Sequence, residues 1–164
     1  MWFLNNRQKD YKLRYEALVN NPILNKTEKL DTNKLETGIK DVGISEDIVA
    51  MLLKELDSFE KNKLFLQKDL TQSKMASIIN TNSTYLSKIV NTFKGSNFTG
   101  YINTLRIEYV IEELKKNPKM RLYTIKAIAE ETGFNTAESF SKAFHTKTGI
   151  YPSYFINKLK ESEL

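Results

Sequence analysis

The stretch Gly133–Phe155, GFNTAESFSKAFHTKTGIYPSYF, decides how this chain is read. It opens on a glycine, carries Phe140 and Phe144 four positions apart, closes at Gly149 and restarts at Pro152. Apolar residues at that spacing share one face of a helix. Glycine just past the last periodic residue stops a helix, and proline is favoured in the first turn of the next. The segment therefore predicts a turn, a helix, a second turn and the start of another helix.

The same device occurs upstream. Slid along itself until Leu86 meets Phe140, the chain aligns Leu86-Ser87-Lys88 with Phe140-Ser141-Lys142, Gly95 with Gly149, and Tyr101-Ile102-Asn103 with Phe155-Ile156-Asn157. Further upstream the shift is shorter by one, so Met75-Ala76 falls on Ile128-Ala129 and Asn80 on Gly133. That slip lies in the turn between two helices. Asparagine and glycine are the residues that accept positive φ at a tight helix exit. Small Ala76 and Ala129 let a second helix cross closely. Each copy thus reads as a helix-turn-helix.

On a helical wheel, Leu86, Ile89, Val90 and Phe93 group on one side of the second helix of copy one. Phe140, Ala143 and Phe144 do so in copy two. These sides predict core. The opposite faces carry Thr84, Ser87, Lys88 and Asn91, then Glu138, Ser141, Lys142 and His145, each residue aligned with its counterpart by the same shift. Such faces serve as ordinary solvated surface, and Glu138 with Lys142 forms a surface i, i+4 pair. They also suit a DNA major groove, where short polar side chains reach base edges or phosphates and lysine adds charge. Glu138 weakens that reading in copy two, unless it accepts from a cytosine amine.

Between the copies, residues 97–116 predict a long helix with two apolar stripes. Phe98, Ile102, Leu105 and Tyr109 form one; Ile107, Ile111 and Leu114 form the other. A helix apolar on two sides is buried on two sides. It is expected to lie between the copies and set their separation, and successive major-groove segments on one face of a duplex are about 34 Å apart. Arg106, at the edge of the first stripe, is expected to form a structural ion pair rather than touch DNA. Asn117-Pro118 ends the helix.

The remainder is less periodic. Residues 1–20 predict a short helical tail, with Tyr11, Tyr15, Leu18 and Val19 too few to stand alone. Residues 21–43, with Pro22, Gly38 and Gly43, predict a linker. From Ile44 to the end the chain predicts one domain, with the first helix-turn-helix at 71–94 and the second at 122–149. Ser45 is the expected N-cap of a helix with the stripe Ile48, Met51, Leu52, Leu56 and Phe59, and Leu64, Phe65, Leu66 and Leu70 add core. No alternating strand pattern is evident, so the fold class is all-α: two helix-turn-helix subdomains, a long linker helix and an N-terminal helical extension.

Composition narrows the chemistry. With no cysteine and one histidine, disulfides, thiol chemistry and a cysteine–histidine zinc site drop out. No apolar run nears the ~20 residues of a membrane span. The net charge of +5 lies entirely in residues 71–164, which hold 13 basic and 8 acidic residues; residues 1–70 hold 12 of each. No acid lies between Asp69 and Glu108, where Lys74, Lys88, Lys94 and Arg106 occur. Such a stretch suits a polyanionic partner.

The segment IAEETGFNTAESFSKAFHTKTGIYPSYF resembles the signature of the AraC/XylS family of bacterial transcription regulators. The matching residues are Ile128-Ala129, Gly133-Phe134, Phe140-Ser141-Lys142, Phe144, Gly149 and Pro152-Ser153. The upstream copy and its long helix look like that family's first helix-turn-helix and linker helix. The resemblance runs from about Ile44 to Leu159. It implies sequence-specific binding to double-stranded promoter DNA through two reading helices, with RNA polymerase as a further partner and no cofactor. By position the family's contact places fall on Thr84, Ser87 and Lys88, then on Glu138, Ser139, Ser141 and Lys142. With the outward-facing Asn91, Lys94 and His145, these ten are the candidate DNA-contacting residues. The family often has Arg or Gln where this chain has Ser, Ala and Glu, which makes copy two mainly a backbone anchor. The phrases ISEDIVAMLLKELDSFEKNKLFL and TGIYPSYF look like a subgroup with upstream helical repeats and one membrane span. That implies a cytoplasmic location, either free or as the output portion of a membrane-tethered sensor.

Two other classes are weighed. An enzyme lacks support: His145 sits one turn beyond Ser141 on the same helix, and no nucleophile elbow, phosphate loop or metal cluster is present, so no catalytic or metal-ligating residue is assigned. A helical protein-interaction module without DNA binding is the alternative, separable by its weak dependence on salt.

Overall fold

The computed structural model describes residues 2–21 and 43–162, with side chains from Arg7 onward. Of the linker expected at 21–43, only the two end residues fall among these. The described residues form eight α-helices and two short 3₁₀ turns, without a strand. The helices are α1 (Trp2–Asn20), α2 (Glu46–Lys61), α3 (Gln72–Ile78), α4 (Ser83–Lys94), α5 (Phe98–Lys116), α6 (Ile125–Glu131), α7 (Ala137–Thr148) and α8 (Pro152–Glu161). The 3₁₀ turns, Leu64–Leu66 and Met120–Leu122, precede α3 and α6. The chain divides into two compact units. One holds Thr27–Leu105; the other holds Arg106–Leu164 together with Met1–Lys26.

The repeat reaches further back than its helix-turn-helix. Leu52, Leu56, Phe59 and Phe65 are buried in the first unit. Ile107, Ile111, Leu114 and Met120, which follow one another at the same intervals, are buried in the second. Each unit therefore has a leading helix, a 3₁₀ turn, the two crossing helices and the start of a following helix. Helix α5 closes the first series and opens the second.

In the first unit the leading helix departs from its expected pattern. Ser45 occupies the N-cap, but its side chain makes no capping bond. The buried stripe is Val49, Leu52, Leu56 and Phe59, whereas Met51 is exposed and Ile48 half-buried. At 100° per residue Met51 stands about a third of a turn from the middle of that stripe. Of the four apolar residues expected next, only Phe65 is buried, because a single 3₁₀ turn aims few side chains to one side. Phe93 is half-buried rather than core.

Helix α5 also differs in detail. Ile107, Ile111 and Leu114 are fully buried, joined by Val110. On the other stripe Ile102 is buried, but Phe98, Leu105 and Tyr109 are only half-buried. Tyr101 is the inward residue instead. Its hydroxyl donates to Glu60 Oε1 at 2.6 Å, so the ring is buried while its polar end is satisfied. Burial and the adjacent carboxylate push the Tyr101 phenol well above its ordinary pKa. Arg106 is buried with its guanidinium 5.3 Å from the centre of the Phe134 ring, a structural role performed by cation–π stacking.

The second unit closes around a run of phenylalanines. Phe134–Phe140, Phe140–Phe144 and Phe144–Phe155 centroids lie 5.5, 5.9 and 5.8 Å apart, in edge-on or tilted arrangements that suit aromatic quadrupoles. Helix α1 packs on this core through Tyr11, Tyr15, Leu18 and Val19. Tyr15 meets Phe155 at 5.6 Å and Tyr11 meets Tyr154 at 5.2 Å. The four residues too few for an independent helix find their apolar partner here.

Two buried ionic groups complete this unit. Arg121 donates from Nε to the Leu114 carbonyl and from Nη2 to the Lys115 carbonyl at 2.7 Å, capping the end of α5 with a cation. Glu112 meets Lys115 at 3.0 Å and Lys116 at 3.4 Å. Burial alone would raise its pKa, but the two ammonium groups outweigh it and hold the carboxyl below its usual value. Arg121→Ala is expected to cost about 2–3 kcal/mol in urea unfolding, because charge-assisted bonds to buried carbonyls are lost. A depressed Glu112 pKa means stability that is full above the ordinary carboxylate value of about 4.3 and is lost as pH falls through the lower folded value. Glu112→Gln should flatten that part of the acid limb in thermal unfolding followed across pH.

Candidate nucleic-acid interface

Each helix-turn-helix is built by the same backbone bonds. In the first, Asn80 sits at φ 55°. Its N–H donates to the Ser77 carbonyl at 3.2 Å, and the next N–H, Thr81, donates to the Ala76 carbonyl at 2.8 Å. In the second, Gly133 sits at φ 82°. Gly133 and Phe134 donate to the Glu130 and Ala129 carbonyls at 3.3 and 2.9 Å. This paired closure with a left-handed residue is the Schellman stop, which ends a helix abruptly and redirects the chain. Ala76 and Ala129 are buried at the crossing.

The caps repeat too. The Thr71 and Thr124 hydroxyls accept the Lys74 and Ala127 N–H groups at 3.2 and 3.1 Å, starting α3 and α6. The Asn82 side chain accepts from Tyr85 N–H at 2.9 Å, and Thr136 Oγ1 accepts from Ser139 N–H at 3.0 Å, starting α4 and α7. Gln72 Nε2 donates to the Ser83 carbonyl at 2.8 Å, tying the first turns of α3 and α4 together. Gly95 and Gly149, at φ 64° and 75°, end α4 and α7.

With α4 and α7 fixed in this way, the inward sides bury Leu86, Ile89 and Val90, and Phe140 and Phe144, while Ala143 is half-buried. The outward side of α4 exposes Thr84, Lys88 and Asn91, with Ser87 half-exposed. The outward side of α7 exposes Glu138, Ser139 and Lys142, with Ser141 and His145 half-exposed. The structure therefore gathers Thr84, Ser87, Lys88 and Asn91 on one face, and Glu138, Ser141, Lys142 and His145 on another. Ser139 stands aside. Its hydroxyl donates to the Thr136 carbonyl at 2.9 Å and serves the cap. Lys94 is also committed within its unit, bonding Glu60 Oε1 at 2.8 Å with Nζ 5.8 Å from the Tyr101 ring centre.

Glu60 and Tyr101, which anchor Lys94, were missed by sequence reasoning. A signal did exist, since an acid in the last turn of a helix opposes the helix dipole and asks for a cation. Tyr151 was missed as well. It is nearly half exposed, and the His145 ring stacks on it with centroids 4.5 Å apart. No periodicity announces that contact, because it spans the turn after Gly149. Among the described residues, no group of three or more His, Cys, Asp or Glu is placed to hold a metal ion.

Comparison with known proteins defines the class. Residues 75–158, about half of the chain, match a family described as "Helix-turn-helix domain". The chain is 30% identical over 106 residues to the TCP pilus virulence regulatory protein of Vibrio cholerae serotype O1, a match covering 62% of this chain and 37% of that protein. It is 33% identical over 78 residues to the uncharacterized transcriptional regulatory protein YesN of Bacillus subtilis, covering 47% of this chain and 20% of that one. Among solved structures it resembles the C-terminal domain of AraT, a response regulator from Geobacillus stearothermophilus. The TM-score is 0.55 and the identity 27%, covering 66% of this chain and 84% of the other. The chain belongs to the AraC/XylS-type helix-turn-helix family of DNA-binding transcription regulators. It spans well under half the length of these curated relatives.

Asn82→Ala, which removes the cap of α4, is expected to cost about 1 kcal/mol in chemical denaturation. The equivalent Thr136→Ala should cost a similar amount.

Proposed function

We propose that this chain regulates transcription by placing α4 and α7 in successive major-groove segments of promoter DNA. One observation supports the reading above the others: the same capped, Schellman-stopped unit occurs twice, each time with a face of short polar residues and a lysine turned outward. Serine, threonine and asparagine of that size reach base edges and phosphates, and lysine supplies charge. Thr84, Ser87, Lys88 and Asn91 carry the sequence-reading role. Ser141, Lys142 and His145 anchor the second helix, and Glu138 selects cytosine where it accepts an amine. Lys94 and Ser139 act chiefly by holding their helices in place.

RNA polymerase is the further partner in this reading, as expected for a promoter-bound regulator. A sensor portion upstream, with the chain as its cytoplasmic output, fits the small share of each relative that the chain spans. No helix among the described residues is long and apolar enough to cross a membrane.

The test begins with duplexes selected from a random pool and proceeds to fluorescence anisotropy across salt. Affinity should fall steeply with salt, by a logarithmic slope of about 0.9 per phosphate contact. Lys88→Ala should weaken binding and reduce that slope by about 1. Lys61→Ala should change little, since its ammonium already pairs with Asp57 at 2.6 Å. Absence of duplex affinity at low salt would refute the reading in favour of a protein-interaction module.

A further inference from the structure

Helix α7 is poorly equipped to hold a polyanion by itself. Its outward face sets Glu138 against Lys142, and His145 is the remaining basic side chain there. From His145, however, a ring contact leads away from α7. The His145 ring lies on Tyr151. Arg7 of α1 is held in its charged form chiefly by Tyr11, and Tyr151 is near enough to add to that effect. The Arg7 guanidinium stands 5.6 Å from the centre of the Tyr11 ring, and Tyr11 in turn packs edge-on against Tyr154.

Helix α1 is seated here by a close fit. An added Cβ at Gly149 would stand 2.0 Å from Arg14 Nη1 and 2.7 Å from Arg14 Cζ. The glycine that ends α7 thus leaves the space that the α1 arginine occupies, in addition to adopting positive φ. A cation placed there also complements the negative end of the α7 dipole. Within α1 the acids are already committed: Asp10 bonds Arg14 at 2.9 Å, and Glu16 lies 3.9 Å from Lys12. Arg7 and Lys9 are exposed and have no acidic partner among the described residues.

We infer that α1 is a phosphate-contacting part of the second helix-turn-helix, with Arg7 gripping the DNA backbone beside the groove that α7 enters. This rests on the DNA-binding reading above and deepens it. Arg7 stands over the Tyr11 ring and near Tyr151, on which the His145 ring lies, and a planar guanidinium suits phosphate oxygens.

The experiment uses the full chain, a selected duplex and anisotropy titrations from low to moderate salt. Arg7→Ala should lose about fivefold or more in affinity near 0.1 M salt, with the logarithmic salt slope reduced by about 1. The charge-retaining Arg7→Lys should bind like the wild type. Unchanged thermal unfolding of Arg7→Ala would show that α1 remains docked, so that the loss reflects charge. If Arg7→Ala keeps wild-type affinity and slope while Lys142→Ala loses both, α1 does not touch DNA and the reading of α7 survives. If Arg7→Lys loses as much as Arg7→Ala, the electrostatic explanation is overturned. If the wild type binds no duplex at all, the underlying reading fails first.

Discussion

A helix can present its outer face to a ligand only if something fixes its angle, and here that constraint is the Schellman stop. One residue at positive φ, Asn80 or Gly133, closes the preceding helix with two backbone bonds. The next helix begins within a few residues, under its own side-chain cap. Because the stop is made of backbone hydrogen bonds of fixed geometry, α4 and α7 leave their turns in the same manner. An alanine at each crossing removes the bulk that would push the helices apart. The outward faces follow from this: once Leu86 and Phe140 are committed inward, Lys88 and Lys142 must point out.

Around that shared scaffold the two units achieve burial by different chemistry. The first relies on aliphatic side chains and a polar clamp, in which Glu60 receives both the Tyr101 hydroxyl and the Lys94 ammonium. The clamp joins the ends of α2 and α4 to the start of α5. The second unit relies on edge-on and tilted phenylalanines and recruits α1 to complete its apolar surface. Its buried cations lie against a ring face and carbonyls: Arg106 on Phe134, and Arg121 on the last turn of α5. The reading faces differ correspondingly. The four residues of the α4 face include no acid, whereas the α7 face balances lysine with glutamate, and the end of α7 adjoins the basic helix α1.

Much of this was legible in the chain itself, for local reasons. Internal similarity located both helix-turn-helix units, because caps, small crossing residues and left-handed positions each demand particular residue types. The faces of α4 and α7 followed from the helical period alone. The leading helices were less legible. Their equivalence sets Leu52 against Ile107 and Phe59 against Leu114, pairs alike in burial but not in identity. Met51 entered the predicted stripe because an apolar residue near the right angle cannot be told from a buried one until its neighbours are placed.

The sequence by itself thus determined what depends on neighbours along the chain: where helices start and stop, which side of each is apolar, and the order of the two reading units. Tertiary structure alone decided which distant groups meet. It brought Tyr101 to Glu60, Arg106 to the face of Phe134, Arg121 to the end of α5, and the N-terminal helix to the turn after Gly149. No periodic signal marks any of these contacts, because a hydrogen bond or a ring face fixes its partner by position in space, and helical periodicity carries no record of that.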